Sequence, residues 1–366
     1  MSRQRVVQIC GRLEPGGIQR LVLELVARLD RSRFDVEVLC LAKDAGPWAT
    51  RLGDSGTPVH TIDPRHPYFL PRMIAWLRGR CDLAHFHRSS LRVAPALLGA
   101  WMAGVPRRIV HLHNVPPPGS GGRLAVLRWP VRRLATTIVG VSSAVLDGHF
   151  GPGSARGPGM RVVPNGIDVA AFDAMPSRGE ARARLGLAPE DFVVGNAARF
   201  SPAKNQGLLL EATAQLGQRV PSLRVVLAGD GPLRPAVERQ AAALGLTGRV
   251  VFPGWQEDVR PLLAACDVFS FPSRWEGFGL ALLEAQCAGL PCVASRLDAF
   301  DDVLAPALRS FSHAPDDAEG LAASILALSK DAALRENLGT VAREHARAFD
   351  LGQWIGRIED VYTGED

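Results

Sequence analysis

The reading of the fold turns on "FVVGNAARFSPAKNQGLLLEATAQL", Phe192–Leu216. An apolar run ends in a short polar loop, and apolar residues then recur at helical spacing. Strand, loop and helix in that order make half of a parallel crossover unit. The same succession opens the chain, as "RVVQIC" (5–10), a glycine turn and "IQRLVLELVARLD" (18–30). A pattern that restarts near residue 190 means two similar units rather than one enlarged sheet.

Working outward, the first half continues with strand-like "FDVEVLCLA" (34–42), "PVHTI" (58–62), "DLAHFH" (82–87), "RRIVHLHN" (107–114), "TIVGVS" (137–142) and "RVVPNGID" (161–168). Helical patterns separate them, with a weak one at 49–54. The second half continues with "RVVLAG" (224–229), "RVVFPG" (249–254), "VFSFPS" (268–273) and "PCVASR" (291–296). Apolar strands joined by helical crossovers give parallel sheets covered on both faces. The expected class is α/β, with two Rossmann-like, doubly wound domains. We place them at 1–170 and 171–349, with a linker near 168–185. The last segment, 350–366, has helical spacing; it either completes the second domain or packs back on the first, and the second option is preferred. Open α/β sheets bind ligands beyond the carboxyl ends of their strands, so a cleft between the two domains is the expected site.

Bulk numbers agree. The chain has 366 residues, a length suited to two domains, and 47% apolar with 22% charged residues is an ordinary globular balance. A formal net charge of +5 mildly favours an anionic ligand. No CxxC occurs among the six cysteines, so reduced, buried thiols are expected. The start turns glycine-rich before an apolar leader develops, and no apolar run approaches the roughly 20 residues of a membrane span. The expected location is the cytoplasm. Basic residues form no long stripe and no aromatic platform accompanies them, so nucleic acid is not an expected partner.

The chemistry concentrates where strands give way to helices. In "SRWEGFGLALLEAQCAGLPCVAS" (273–295), Gly277 and Gly279 free the backbone to turn, and a helix starts whose first amides suit an anion. Glu284 is placed to accept hydrogen bonds from vicinal hydroxyls such as those of a ribose, and Glu276 from a sugar. The plainer alternative makes Glu276 a partner of the helix dipole and Glu284 a surface residue. In "NAARFSPAKNQG" (196–207), Arg199 and Lys204 suit a diphosphate, by fork and point charge respectively; a solvated loop is the alternative. "GRLEPGGIQR" (11–20) is neither GxGxxG nor a P-loop, but Gly16 and Gly17 allow close approach. Gly229 and Gly231 in "GDG" give a tight turn able to meet a nucleotide backbone-first. Trp255 is read as core, or else as a stacking partner for a base. His85, His87, His111 and His113 close two strands. A four-histidine metal site is set aside for want of a nearby carboxylate or cysteine at ligand spacing. His113, with Asn114, is preferred as a sugar hydrogen-bond donor, and His85 and His111 are read as buried and satisfied.

In family order, "GGIQR", "RVVPNGID", "ARFSPAKN", "VLAGDGPL" and "EGFGLALLEAQCAGLPCVAS" resemble the retaining nucleotide-sugar glycosyltransferases of family 4, which have the GT-B fold. "RRIVHLHN" and "EAQCAGLPC" look most like members that build capsular or exopolysaccharide units. The resemblance covers nearly the whole chain. It implies that Glu276 meets the donor sugar and Glu284 the ribose, with Gly277, Phe278, Gly279 and Leu280 around the phosphates. Two departures stand out. Gln19 occupies a position where many members carry Glu, and "SRLDAFDDV" lacks a glycine pair, with Asp301 or Asp302 in place of the following Glu.

The implied reaction moves a hexose-type sugar, with retention, from a UDP- or GDP-linked donor to a glycan, lipid-linked or small-molecule acceptor. Arg199, Lys204 and the helix amides would carry the leaving group's charge without a metal or other cofactor, and His113 would steady the sugar hydroxyls. "PRHPYFLPRMIAWLRGR" (64–80) and "RLAVLRWPVRR" (123–133) mix arginine with aromatic and aliphatic residues, which suits either a helix apolar inside and basic outside or peripheral contact with an anionic membrane at the inner face. The competing readings are a non-catalytic nucleotide-binding module and a GT-B enzyme that hydrolyses or epimerises a nucleotide sugar.

Overall fold

A computed structural model describes residues 3–53 and 56–364, without the side chains of residues 121, 123 and 124. The last position of the helix expected at 49–54, and the last two of the segment 350–366, lie outside these described residues. The chain divides into two compact units. One holds the residues up to Gly166 together with those from Gly352 onward, and the other is Ile167–Leu351.

The first unit contains strands β1 (Gln4–Cys10), β2 (Phe34–Cys40), β3 (Val59–Thr61), β4 (Leu83–Arg88), β5 (Arg107–Leu112), β6 (Thr137–Gly140) and β7 (Met160–Val162). Its helices are α1 (Gly17–Arg28), α2 (Ala49–Gly53), α3 (Phe69–Leu77), α4 (Ala94–Met102), α5 (Gly121–Leu134) and α6 (Ser143–Phe150). The strands pair in parallel in the order β3-β2-β1-β4-β5-β6-β7. Val6, Val7, Ile9, Leu83, Phe86, Ile109 and Val110 are all buried, as expected where helices cover both faces of a sheet. In the register, Gln8 lies beside His85 and His87 beside His111. Side chains alternate along strands, so these polar groups share one buried face of the sheet.

The second unit contains α7 (Arg178–Arg184), β8 (Phe192–Ala197), α8 (Gln206–Leu216), β9 (Leu223–Ala228), α9 (Arg234–Ala243), β10 (Val250–Gly254), α10 (Arg260–Ala265), β11 (Val268–Phe271), α11 (Leu280–Cys287), β12 (Cys292–Ala294), α12 (Ala318–Lys330) and α13 (Ala332–Ala346). Its sheet runs β10-β9-β8-β11-β12. The order reverses between β8 and β11, so the loops after those strands flank a topological switch point. A final helix, α14 (Leu351–Thr363), packs almost entirely on the first unit.

The segment expected as a linker at 168–185 is structured. Ser177 and Glu180 form a capping box that starts α7. The Arg182 guanidinium is buried and donates to the Asp267 carboxylate at 2.8 Å and to the carbonyl of Ala265 at 3.1 Å. Its neighbour Arg178 also pairs with Asp267. A buried cation needs such partners, and they pin α7 to the second unit. The six cysteines are all unpaired and buried. No helix among the described residues is long and apolar enough to cross a membrane.

Candidate active site

The connection from β8 to α8 carries Arg199 and Lys204. Its shape is set by the adjacent GDG turn. A Cβ at Gly229 would stand 2.1 Å from the Ala198 carbonyl oxygen, and one at Gly231 2.4 Å from that of Phe200. Only glycine fits at either place. The turn is then stitched to the loop by Phe200 N–H to Asp230 O at 3.0 Å and Leu233 N–H to Phe200 O at 3.2 Å. The turn thereby holds the Arg199 loop at the strand end. Arg199 is exposed, and among the described residues its guanidinium has no hydrogen-bonding or ionic partner.

Lys204 sits differently. Its Nζ pairs with Oε1 of Glu276 and lies 5.0 Å from the centroid of the Phe271 ring. The hydroxyl of Ser273 donates to the same carboxylate oxygen at 2.9 Å. The carboxylate side chain is only 8% exposed and the lysine 22%. Two residues expected to act separately, Lys204 on phosphate and Glu276 on sugar, are thus brought into one ion pair. The surrounding loops are stapled together. Arg274 N–H donates to Ala203 O at 2.8 Å, and Asp316 accepts from Asn205 at 2.9 Å and from Arg274 at 2.7 Å.

Beyond Glu276 the chain turns through Gly277 and Phe278 to Gly279, which has φ +91°. A Cβ there would meet the Phe300 ring at 2.9 Å, so both conformation and space require glycine. The N–H groups of Leu282 and Leu283 turn back to the Gly279 carbonyl. Leu280 and Ala281, in the first turn of α11, are half-buried, whereas the helix from Leu282 to Cys287 is buried. Glu284 belongs to that buried stretch, so the alternative of a surface helix residue is corrected. Phe278 packs into the core, with its ring 5.8 Å from that of Phe349; any contact it makes with a phosphate comes from its backbone. Trp255 is 43% exposed, so its reading as core is also corrected. Its place at the end of β10, after Gly254, leaves the indole outside the packed layers. Asp301 and Asp302 are exposed.

The candidates of the first unit stand apart in sequence and chemistry. Gly16 and Gly17 are exposed at the start of α1. Gln19 donates its amide to the Arg12 carbonyl at 3.3 Å, a bond that a glutamate could not make. His113 is buried just after β5, in a stack with its neighbours. Ring centroids of His111 and His113 are 4.2 Å apart and those of His85 and His87 4.0 Å. Burial lowers the pKa of all four, to about 3 for His113, and the mutual proximity of His85, His87 and His111 with their neighbours adds to it. All four are neutral at neutral pH. His85 and His111 were expected to be satisfied; instead, among the described residues, both His111 nitrogens, His85 Nε2 and His113 Nδ1 lack partners. Candidate ligand nitrogens of His85, His87 and His111 lie within 4.8 Å of one another. The His85 and His111 rings stack 3° from parallel, however, and an ion binds in the plane of an imidazole.

Ser273, Phe271, Asn205 and Asp316 complete the second unit's site and Gln8 the first unit's cluster; none was singled out from the sequence. Ser273 had a signal, a hydroxyl at the end of a strand three residues before Glu276. Asp316 had none, because its partners are distant in the chain.

Comparison with known proteins covers both units. A family model described as Glycosyltransferase Family 4 matches residues 15–171, and one described as Glycosyl transferases group 1 matches 177–345. EpsF of Bacillus subtilis (strain 168), named as a glycosyltransferase, is 30% identical over 306 residues, which are 80% of this chain and 79% of that protein. The UDP-Gal:alpha-D-GlcNAc-diphosphoundecaprenol alpha-1,3-galactosyltransferase of Escherichia coli is 24% identical over 94% of this chain and 93% of its own. Among solved structures, Anabaena HepE in complex with UDP-glucose superposes with a TM-score of 0.86 and 24% identity, over 99% of this chain and all of that one. With both units matched and the fold shared along the full length, the chain belongs to glycosyltransferase family 4 and has its GT-B fold.

Proposed function

We propose that this glycosyltransferase takes a hexose-type sugar from a nucleotide diphosphate sugar, with retention at the anomeric carbon, and places it on a hydroxyl of a glycan, lipid-linked glycan or small molecule. The observation that carries the reading is the cluster at the switch point of the second sheet, where the Lys204–Glu276 pair and the Arg199 loop adjoin the first turn of α11. Arg199 and Lys204 take the charge that builds on the departing diphosphate, together with the amides at Gly279 and Leu280. Glu276 holds sugar hydroxyls and Glu284 the ribose. The pairing gives Lys204 and Glu276 a linked role: phosphate arriving at Nζ competes with the carboxylate and releases it toward the sugar. From the first unit, Gly16 and Gly17 offer backbone to the phosphates and His113 steadies the sugar. The leaving phosphate accepts the acceptor's proton, and fixed cations do the work that a metal does elsewhere.

UDP is the first nucleotide to test, since HepE has been solved with UDP and with UDP-glucose and the Escherichia coli relative is named for UDP-Gal. Calorimetry against UDP, GDP, ADP and dTDP, followed by turnover of the matching nucleotide sugars, checks the proposal. Binding of none of the four would overturn it.

The same proposal places the enzyme in the cytoplasm with peripheral contact at an anionic membrane. A pocket of about 710 Å³ in the first unit is lined by Trp101, Trp129, Leu98 and Leu127 and edged by Arg108 and Arg133. Trp101 is 53% exposed, and Val126 and Trp129 are each 74% exposed. Aromatic rings beside arginines suit the headgroup layer.

A further inference from the structure

The imidazole cluster of the first unit is joined to the C-terminal helix by one chain of hydrogen bonds. His113 Nε2 lies 3.2 Å from His87 Nδ1, and His87 Nε2 lies 2.8 Å from the side-chain oxygen of Gln8. The Gln8 amide nitrogen donates to the Tyr362 hydroxyl at 2.6 Å, and that hydroxyl lies 2.7 Å from His85 Nδ1. All five residues are buried. Gln8 comes from β1, His85 and His87 from the neighbouring β4, His113 from the loop after β5, and Tyr362 from α14.

A neutral imidazole has one N–H and one lone pair. With the Gln8 amide nitrogen toward Tyr362, that restriction sets the direction of every link. The Gln8 oxygen only accepts, so His87 carries its proton on Nε2. His87 Nδ1 is therefore a lone pair, and His113 must donate to it from Nε2. The remaining nitrogen of His113, Nδ1, is then an acceptor, and it is the nitrogen without a protein partner among the described residues. At the other end, the Tyr362 hydroxyl receives a proton from Gln8 and gives its own to His85 Nδ1. Turning the Gln8 carboxamide by half a revolution reverses all four links and puts a proton on His113 Nδ1. One torsion at Gln8, beside a hydroxyl on α14 that can give or receive, thus decides whether the buried, unpartnered Nδ1 of His113 accepts or donates.

We propose that Gln8 and Tyr362 are positioning residues that keep the proton of His113 on Nε2, so that Nδ1 accepts a hydrogen bond from a sugar hydroxyl. The inference rests on the substrate role given to His113 above. It revises the sense of that role, from donor to acceptor. It also gives a reason for a glutamine and a tyrosine hydroxyl to lie in an otherwise apolar core, where each unsatisfied polar group is costly.

The test uses the full-length chain labelled with ¹⁵N-histidine, without substrate. Protonated and unprotonated ring nitrogens resonate far apart, and His113→Ala identifies the signal. The expected result is an Nε2-protonated His113 in the parent chain, and a mixed or reversed tautomer in Tyr362→Phe and Gln8→Leu. Tyr362→Phe keeps the ring that packs on Phe34 with centroids 5.6 Å apart; should it fail to fold, Gln8→Leu decides. Transfer by either variant should fall roughly five- to tenfold in kcat/KM, the worth of one misdirected hydrogen bond, with UDP affinity unchanged. A proton on Nδ1 of the parent chain, or a parental tautomer in folded variants of both kinds, overturns the proposal. Unimpaired transfer by His113→Ala overturns the substrate role alone, because the tautomer is read without any reaction.

Discussion

At the carboxyl ends of β8 and β11 the second unit collects full charges, and at the ends of β4 and β5 the first unit collects four neutral imidazoles. Both sheets are doubly wound and parallel, with the same need to dispose of polar groups where strands meet loops. The second unit meets it by pairing opposite charges, in Lys204 with Glu276 and in Arg182 with Asp267. The first unit meets it by refusing protons, since burial holds His85, His87, His111 and His113 below their ordinary value of 6.5. One solution costs stability when a partner is removed and the other when protons are supplied.

Acid should separate the two most. On unfolding, each of the four imidazoles regains its ordinary pKa of 6.5 and binds a proton that the native cluster excludes. The unfolded state therefore holds more protons than the native one from about 6.5 downward, and stability falls as pH falls through that window. Between pH 7 and 5.5 the four together should remove several kcal/mol of stability. The second unit has two histidines, His313 and His345, with lowered values. Hydrogen exchange read by mass spectrometry across that range should show β4 and β5 opening well before β8 and β11. Simultaneous opening would break the comparison.

Next in size is Asp267→Asn. The carboxylate is 5% exposed; it pairs with Arg182, which is 3% exposed, and accepts the Val193 N–H at 2.7 Å. Loss of the charge leaves a buried cation and should cost about 3–5 kcal/mol in denaturant unfolding of the second unit. Arg178→Ala, whose side chain is 53% exposed, should cost less than about 1 kcal/mol.

Glu276→Gln tests the paired charges at the site itself. It should lower transfer about 10²- to 10³-fold in kcat while leaving UDP affinity within a few fold by calorimetry. Unchanged transfer would remove Glu276 from the mechanism. The smallest effect is expected at the first unit's surface. Trp129→Ala with Arg133→Ala should reduce cosedimentation with phosphatidylglycerol vesicles by about fivefold at low salt, with less difference at physiological salt. Absence of cosedimentation by the parent chain at low salt would end the membrane reading.

The alternation of strands and helices was legible because both sheets are covered on both faces and their strands read as apolar runs. The junction residues Arg199, Lys204, Glu276 and Gly279 were legible for the same reason: they punctuate such runs. Their pairing was not. Lys204 meets Glu276 from 72 positions away in the chain, and such contacts depend on which strands become neighbours. The network from His113 to Tyr362 needs the register of β1, β4 and β5 together with the return of α14, so periodicity alone gave only the histidines. The helices α6, α7, α12 and α13 went unread although their caps are local. Ser142, Ser177, Asp317 and Asp331 each accept a first-turn N–H of the helix that follows.

Finally, α14 brings Trp354, Ile358 and Val361, as well as Tyr362, into buried positions, and its Glu359 reaches the Asp30 N–H at 3.0 Å. These residues leave the ribosome only after all of Ile167–Leu351 has been made. The first unit, although it emerges first, therefore waits with an unfilled flank while the second can already close. Translation order and folding order are crossed in this chain, and a nascent first unit is the intermediate that chaperones would be expected to meet.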